Sequence, residues 1–271
     1  MSLSKVLIAL TLAALAAVAV FPRLDYPMLH AAEGSPEPGE VVEPADSPFA
    51  VVELFTSEGC SSCPPADRLL VELSERSRRP GSRLYPLVFH VDYWNDLGWP
   101  DPFADEQWSE RQRRYAAGWK TSRVYTPQAV VNGRDAFVGS RRGRMATATQ
   151  QALERPAEAR LELQAFRHGE AIRVQFLASG RLSRAVLQVA LVQDSATTEV
   201  AAGENRGRTL HHANVVRALE TVDLHSTGEG YIDLVPPAGL ALSAARVVAF
   251  VQDAASMAIR GAASSRVRQG S

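Results

Sequence analysis

Lysine is nearly missing from this chain. Only Lys5 and Lys120 occur, so arginine supplies 27 of the 29 basic side chains. An excess of either charge is missing too: 30 acidic residues leave a net charge of −1. A dedicated nucleic-acid binder carries a surplus of positive charge, so that class is excluded. Cysteine is scarce, with two residues, which excludes a multi-disulfide scaffold and any four-cysteine zinc or iron–sulfur site. There is no phosphate-binding glycine loop and no Gly-x-Ser-x-Gly nucleophile motif. Neither a glycine period nor a heptad repeat points to a fibre. With 46% hydrophobic and 22% charged residues, composition is that of a globular protein rather than a disordered one. The 271 residues are enough for one large domain or two modest ones.

What is present is ordered along the chain. Lys5 precedes an apolar run, Val6 to Phe21, broken only by Thr11. Ala17-Val18-Ala19 offers a small-x-small cleavage site. The pattern predicts an export signal over residues 1–21, or an uncleaved anchor, and in either case a periplasmic or secreted body. Residues 22–48 include HAAEGSPEPGEVVEPADSP, rich in proline and acid with little to bury. They read as a linker.

From Phe49 the pattern alternates strand and helix. Phe49–Phe55 is an apolar strand. Ala66–Arg78 has helical periodicity, with Leu69, Leu70 and Leu73 inward and Asp67, Arg68, Glu72 and Glu75 toward water. A strand follows at Leu84–Val91, then a helix near Ala104–Trp119 whose Arg111, Arg113 and Arg114 face Glu106 and Glu110 as a solvated surface. Gln128–Val131 and Asp135–Val138 make a hairpin around Asn132-Gly133. A helix over Gly143–Leu153 closes the region. Beyond Pro156 the chain reads as short strands: Arg160–Phe166, Ala171–Leu177, Ala185–Val192, Val215–Leu219, Gly230–Val235 and Arg246–Val251. The expected architecture is an α/β layer over residues 49–156, a β-sandwich-like domain over 157–264, and a polar tail over 265–271.

The two cysteines sit where the first strand gives way to the first helix, in Cys60-Ser61-Ser62-Cys63-Pro64-Pro65. Prolines are tolerated in a helix's first turn, where their missing N–H has no partner to lose. Unpaired backbone N–H groups and the helix dipole favour thiolate there. Cys60 then suits a nucleophile and Cys63 a resolving thiol. Two other readings stand beside this one. The pair can be a static disulfide, though so short a loop stabilises little. It can also bind copper(I), with Cys60, Cys63 and His90 as ligands. No other cofactor is called for.

Thr126-Pro127 adds to the redox reading. A proline after the second helix and just before a strand is where a cis bond would set exposed backbone against a dithiol. We expect that bond to be cis, with Pro127 beside the sulfurs. Glu58, His90 and Asp92 lie at or near strand ends on the same side and are expected as a proton relay. Tyr93, Trp94, Trp99 and Phe103 form either a lip for an apolar or polypeptide substrate or a cover over the protein's own core. Glu204 to His212 is the most polar stretch of the second half. It reads as a structured loop against the first half, with the adjacent histidines on opposite faces.

The segments FTSEGCSSCPPAD, HVDYWNDLGW, RQRRYA, VYTPQAVVNG and ENRGRTLHHANVVRAL together resemble an exported bacterial family defined by domain of unknown function 1223. The resemblance spans most of residues 49–264. It implies a thioredoxin-like domain followed by a β-rich one, and no settled activity. Thioredoxin itself has tryptophan before the first cysteine and proline between the pair; here Gly59 precedes it and Ser61 and Ser62 intervene. Exported copper chaperones of that fold also place proline after the second cysteine, with a wider spacing. The expected function is exported thiol–disulfide exchange with a protein partner, without nucleic acid, and at a membrane only through an uncleaved N-terminal segment. Copper carriage and a non-catalytic interaction protein are the alternatives.

Overall fold

A computed structural model describes residues 47–224 and 228–269. The expected signal segment and nearly all of the expected linker lie outside the described residues. Among those described, no helix is long and apolar enough to cross a membrane.

Strand β1, Ala50–Thr56, leads to helix α1, Pro64–Ser77, and strand β2, Leu84–His90. Helix α2, Glu106–Gly118, is followed by β3, Gln128–Val131, β4, Asp135–Val138, and helix α3, Arg142–Ala152. Seven strands complete the chain: β5, Ala159–His168; β6, Ala171–Gly180; β7, Ala185–Glu199; β8, Thr209–Asp223; β9, Glu229–Leu234; β10, Ala245–Asp253; and β11, Ile259–Arg268. The elements read from the sequence are present, and β11 carries regular structure through the expected polar tail to Arg268.

Their assembly corrects the expected fold class. Instead of a thioredoxin-like layer and a separate sandwich, the strands form one mixed sheet in the order β4-β3-β1-β2-β8-β7-β10-β11-β5-β6-β9. The join is β2 with β8, parallel, at Val88 and Val215. Its physical basis is burial on both sides. Every residue of β1 and β2 is buried, and β8 is buried from His212 to Val216 without alternation, as befits strands covered on both faces. One apolar cluster accordingly mixes Phe55, Phe89, Trp108 and Tyr115 with Val192, Val216, Phe250 and Ile259. On the other face α1 and α3 pack Leu70, Leu73, Met145 and Ala148 against β1 and β3. The outer strands hold a further cluster around Ile172, Leu187, Val189 and Val247.

The hairpin at Asn132-Gly133 ties these layers together. Both residues have positive φ, 47° and 65°, as a tight hairpin turn requires. Only glycine fits the second position, because a Cβ on Gly133 would lie 2.0 Å from the Met257 carbonyl oxygen. The Asn132 side chain accepts from Val51 N at 2.7 Å and donates to Phe49 O at 3.0 Å.

The surface expected for α2 is also corrected. Arg111 is 1% exposed. Its Nε donates to Glu53 Oε1 at 2.6 Å and its guanidinium to Tyr115 Oη and Gln252 Oε1. The stripe Trp108, Arg111, Gln112 and Tyr115 follows helical spacing onto the sheet,.

Candidate functional site

The turn after β1 brings Cys60 N to Ser57 O at 3.1 Å and Cys63 N to Cys60 O at 3.2 Å. Cys63 stands at the cap position of α1, with Pro64 and Pro65 opening the first turn. The two cysteines are joined in a disulfide. Both are fully buried, although Ser61 and Ser62 between them are exposed.

The main chain around Cys60 is held from the far half of the chain. Asn205, itself fully buried, donates from Nδ2 to Glu58 O at 2.7 Å and to Cys60 O at 3.0 Å. Glu204 Oε2 accepts from Ser61 N at 3.1 Å. These residues lie in the connection between β7 and β8, so the polar stretch expected as a loop against the first half occupies that place. As expected, the adjacent histidines part: His211 is exposed and His212 buried.

Beside the disulfide lies a buried set of five ionisable side chains. His212 Nε2 meets Glu58 Oε1 at 3.1 Å. His90 Nδ1 meets Asp101 Oδ2 at 2.7 Å. The two imidazoles stand edge to face with ring centres 4.6 Å apart. Asp67 completes the set, accepting from Thr56 Oγ1 at 2.8 Å. Glu58 N also donates to Asp101 Oδ2 at 2.8 Å, so one acidic side chain ties the turn before Cys60 to the loop after β2. The second ring nitrogens, His90 Nε2 and His212 Nδ1, have no hydrogen-bond partner.

Electrostatics differ among the acids. Burial pushes the Asp67 carboxyl up, and His212, His90 and the Thr56 hydroxyl oppose this only in part,. Burial would raise Asp101 too, but His90 and the N–H groups of Glu58 and Phe103 outweigh it and hold that carboxyl below its ordinary range. For His212, burial favours the neutral ring. The bond to Glu58 and the charges of Asp67, Glu58 and Asp101 overcome it and raise the imidazole.

Of the residues expected at the site, Glu58 and His90 belong to this set. Asp92 does not join it: its carboxylate accepts from Ser109 Oγ, and its N–H donates back to that oxygen at 3.2 Å. Trp99 Nε1 donates to Glu58 Oε2 at 2.9 Å. Trp94 Nε1 donates to Thr126 Oγ1 at 2.8 Å, and Phe103 packs on both imidazoles. Trp99 and Phe103 thus contact the acid–histidine set, whereas Trp94 reaches Thr126. The Thr126–Pro127 bond is cis, as expected. Pro127 and the start of α1 converge on Gly139, where a Cβ would lie 3.5 Å from Pro127 Cβ and 3.3 Å from Ala66 Cβ.

Sequence reasoning does not single out Asp67, Asp101, Asn205 or His212 as site residues. The helical pattern sets Asp67 toward water, yet it is 5% exposed, because the first turn of α1 rests on the end of β1. Among the described residues no group of three or more His, Cys, Asp or Glu side chains is arranged to hold a metal ion. Of the residues named for copper, Cys60 and Cys63 bond each other and His90 Nδ1 meets Asp101.

No curated protein matches the chain. A crystal structure of a protein from Agrobacterium tumefaciens is similar at 27% identity, with a TM-score of 0.61 over 82% of this chain and 95% of that one. HBP35 of Porphyromonas gingivalis shares the fold at 14% identity, with a TM-score of 0.57 over 83% of this chain and 77% of that one. The family model for a protein of unknown function, DUF1223, matches residues 51–252. The chain belongs to the DUF1223 family.

Proposed function

We propose that the chain is a thiol–disulfide exchange protein, with Cys60 and Cys63 as its working couple in an oxidising compartment outside the cytoplasm. The observation that carries this reading is the disulfide at the start of α1, placed beside a buried set of carboxylates and imidazoles. A purely structural cross-link closing so short a loop stabilises little and needs no acid–base groups around it.

In the oxidising direction, a substrate thiolate attacks Cys60 Sγ. The bond between Cys60 and Cys63 breaks, and Cys63 leaves as a thiolate that takes up a proton. A second substrate thiolate attacks the mixed disulfide at the substrate sulfur, releasing Cys60. Reduction of a substrate disulfide runs through the same intermediate in reverse. Asp67 suits the proton transfer at Cys63. It lies one helical turn further along α1, its own N–H bonded to Cys63 O at 3.2 Å, and burial raises its carboxyl. The full burial of both cysteines sets a condition on access. The turn that Asn205 and Glu204 hold by its main chain must shift before a substrate sulfur reaches Cys60.

The test is trapping. With Cys63→Ser, mixed disulfides at Cys60 accumulate and are identified by mass spectrometry of non-reduced digests. Cys60→Ser traps none. Equal trapping by the two variants, or none by either, removes the proposed roles.

A further inference from the structure

The sheet ends at β4, and that edge is bordered by arginine. A groove of about 540 Å³ runs along it. Its floor is Ala136, Phe137 and Val138 of β4, and its walls are Arg123, Tyr125, Arg141 and Arg144. No acidic residue lines it. Arg144 is occupied, donating to Asp135 Oδ1 and Oδ2 at 2.7 and 2.6 Å. Arg123 and Arg141 have no acidic partner among the described residues. Arg123 lies over the Tyr125 ring, 5.6 Å from its centre, and Arg144 over Phe137 at 5.6 Å. The rings thus hold two guanidiniums at the rim of the groove.

The backbone of β4 is open on this side. Gly139 N donates to Pro127 O at 2.9 Å, and antiparallel pairs alternate between bonded and non-bonded positions. With Gln128 opposite Val138 and Val130 opposite Ala136, the main-chain groups of Ala136 and Val138 turn away from β3. The Val138 carbonyl accepts from Arg141 N. Both groups of Ala136 and the N–H of Val138 remain for a new strand.

We propose that this groove binds an extended acidic polypeptide segment as an additional strand on β4, with Arg123 and Arg141 gripping its carboxylates. Main-chain bonds to Ala136 and Val138 supply the register, and arginine supplies the preference for acid. Charged side chains on an edge repel unwanted pairing. Here they repel a second copy of β4, which would set arginine against arginine, and they favour a partner of opposite sign. This inference does not rest on the redox reading.

The experiment uses the intact chain and a fluorescent short peptide alternating glutamate with valine, followed by anisotropy. Arg123→Glu and Arg141→Glu each weaken binding about tenfold, the scale of one charge-assisted hydrogen bond. The same peptide N-methylated at alternate amides loses affinity to a similar degree. Both arginines are exposed, so the variants fold, and circular dichroism checks this. A lysine–valine peptide binding as well as the acidic one overturns the proposal. So does unchanged affinity in the arginine variants or on N-methylation. Displacement by a single-stranded oligonucleotide of equal charge, with N-methylation harmless, marks a simple polyanion trap and overturns it as well.

Discussion

Two buried ionic groups in this chain are built on opposite terms. In the first, Glu53 on β1 meets Arg111 and Tyr115 on α2 and, through them, Gln252 on β10. One anion faces one cation, and the guanidinium also lies between the rings of Phe89, Tyr115 and Phe250. Attraction to Glu53 and Tyr115 overcomes burial and raises Arg111 further above its ordinary value. In the second, three carboxylates share two imidazoles, and two ring nitrogens stand without partners. The first group is closed and holds two layers of the fold together. The second is unbalanced: Asp67 and His212 are raised, while Asp101 is held low. A protein gains nothing in stability from leaving polar atoms unsatisfied in its interior. Both unsatisfied ring nitrogens belong to the set that adjoins the turn carrying the disulfide.

The largest effect expected from this contrast is on stability. Arg111→Met leaves the Glu53 carboxylate buried and unpaired, which costs about 3–5 kcal/mol. Chemical denaturation measures it. Pairing that change with Glu53→Leu recovers most of the loss, since an apolar pair of similar volume replaces a buried ion pair at little cost. If the single variant is as stable as the parent, the group is not a closed structural unit.

A smaller effect tests the anchor of the dithiol turn. Asn205→Ala removes three hydrogen bonds, two to the carbonyls of Glu58 and Cys60 and one from Arg208, a loss of about 1–3 kcal/mol. Reduction of the disulfide by a small thiol should also become faster, because the Cys60 main chain loses its anchor. Loss of stability with no change in reduction rate would make Asn205 a structural strut alone.

Much of this arrangement is legible in the sequence. Apolar runs, the Asn132-Gly133 turn and the two prolines after Cys63 mark the strands, the hairpin and the start of α1, because those signals are local. The single sheet is not legible there. It depends on Val88 finding Val215, and neither strand announces its neighbour. Buried charge is hidden for another reason. Asp67 and Arg111 look like surface residues on a helix, and only their partners reveal otherwise. Asp67 lies 11 residues from Thr56, and Arg111 lies 58 from Glu53. Asn205 reaches Cys60 across 145 residues. For His212 a weak signal exists: adjacent histidines on a strand must face opposite ways, so one of them points inward.

The smallest expected effect is in pH dependence, and it separates the two groups most finely. Arg111 and Tyr115 give none near neutrality, since both are raised above already high values. The dithiol group does respond. His212 on β8 is faced by Glu58 from the turn after β1, Asp67 from α1, Asp101 from the loop after β2 and His90 from β2. Folded, it binds its proton more tightly than the ordinary imidazole value of 6.5. Its contribution to stability is complete below that value and fades as pH rises through the raised one. Asp67 acts in the same direction from a lower start. Its folded carboxyl is raised above 3.8, so the fold loses stability as pH climbs from there to the raised value. Asp101, held low, opposes both only in acid, where protonating it removes its contribution. Urea midpoints measured from about pH 6 to 9, the range in which imidazoles titrate, should therefore fall with rising pH. With His212→Gln that decline should flatten, while Arg111→Met paired with Glu53→Leu should keep it. An unchanged slope in His212→Gln would show that this imidazole does not carry the proton assigned to it.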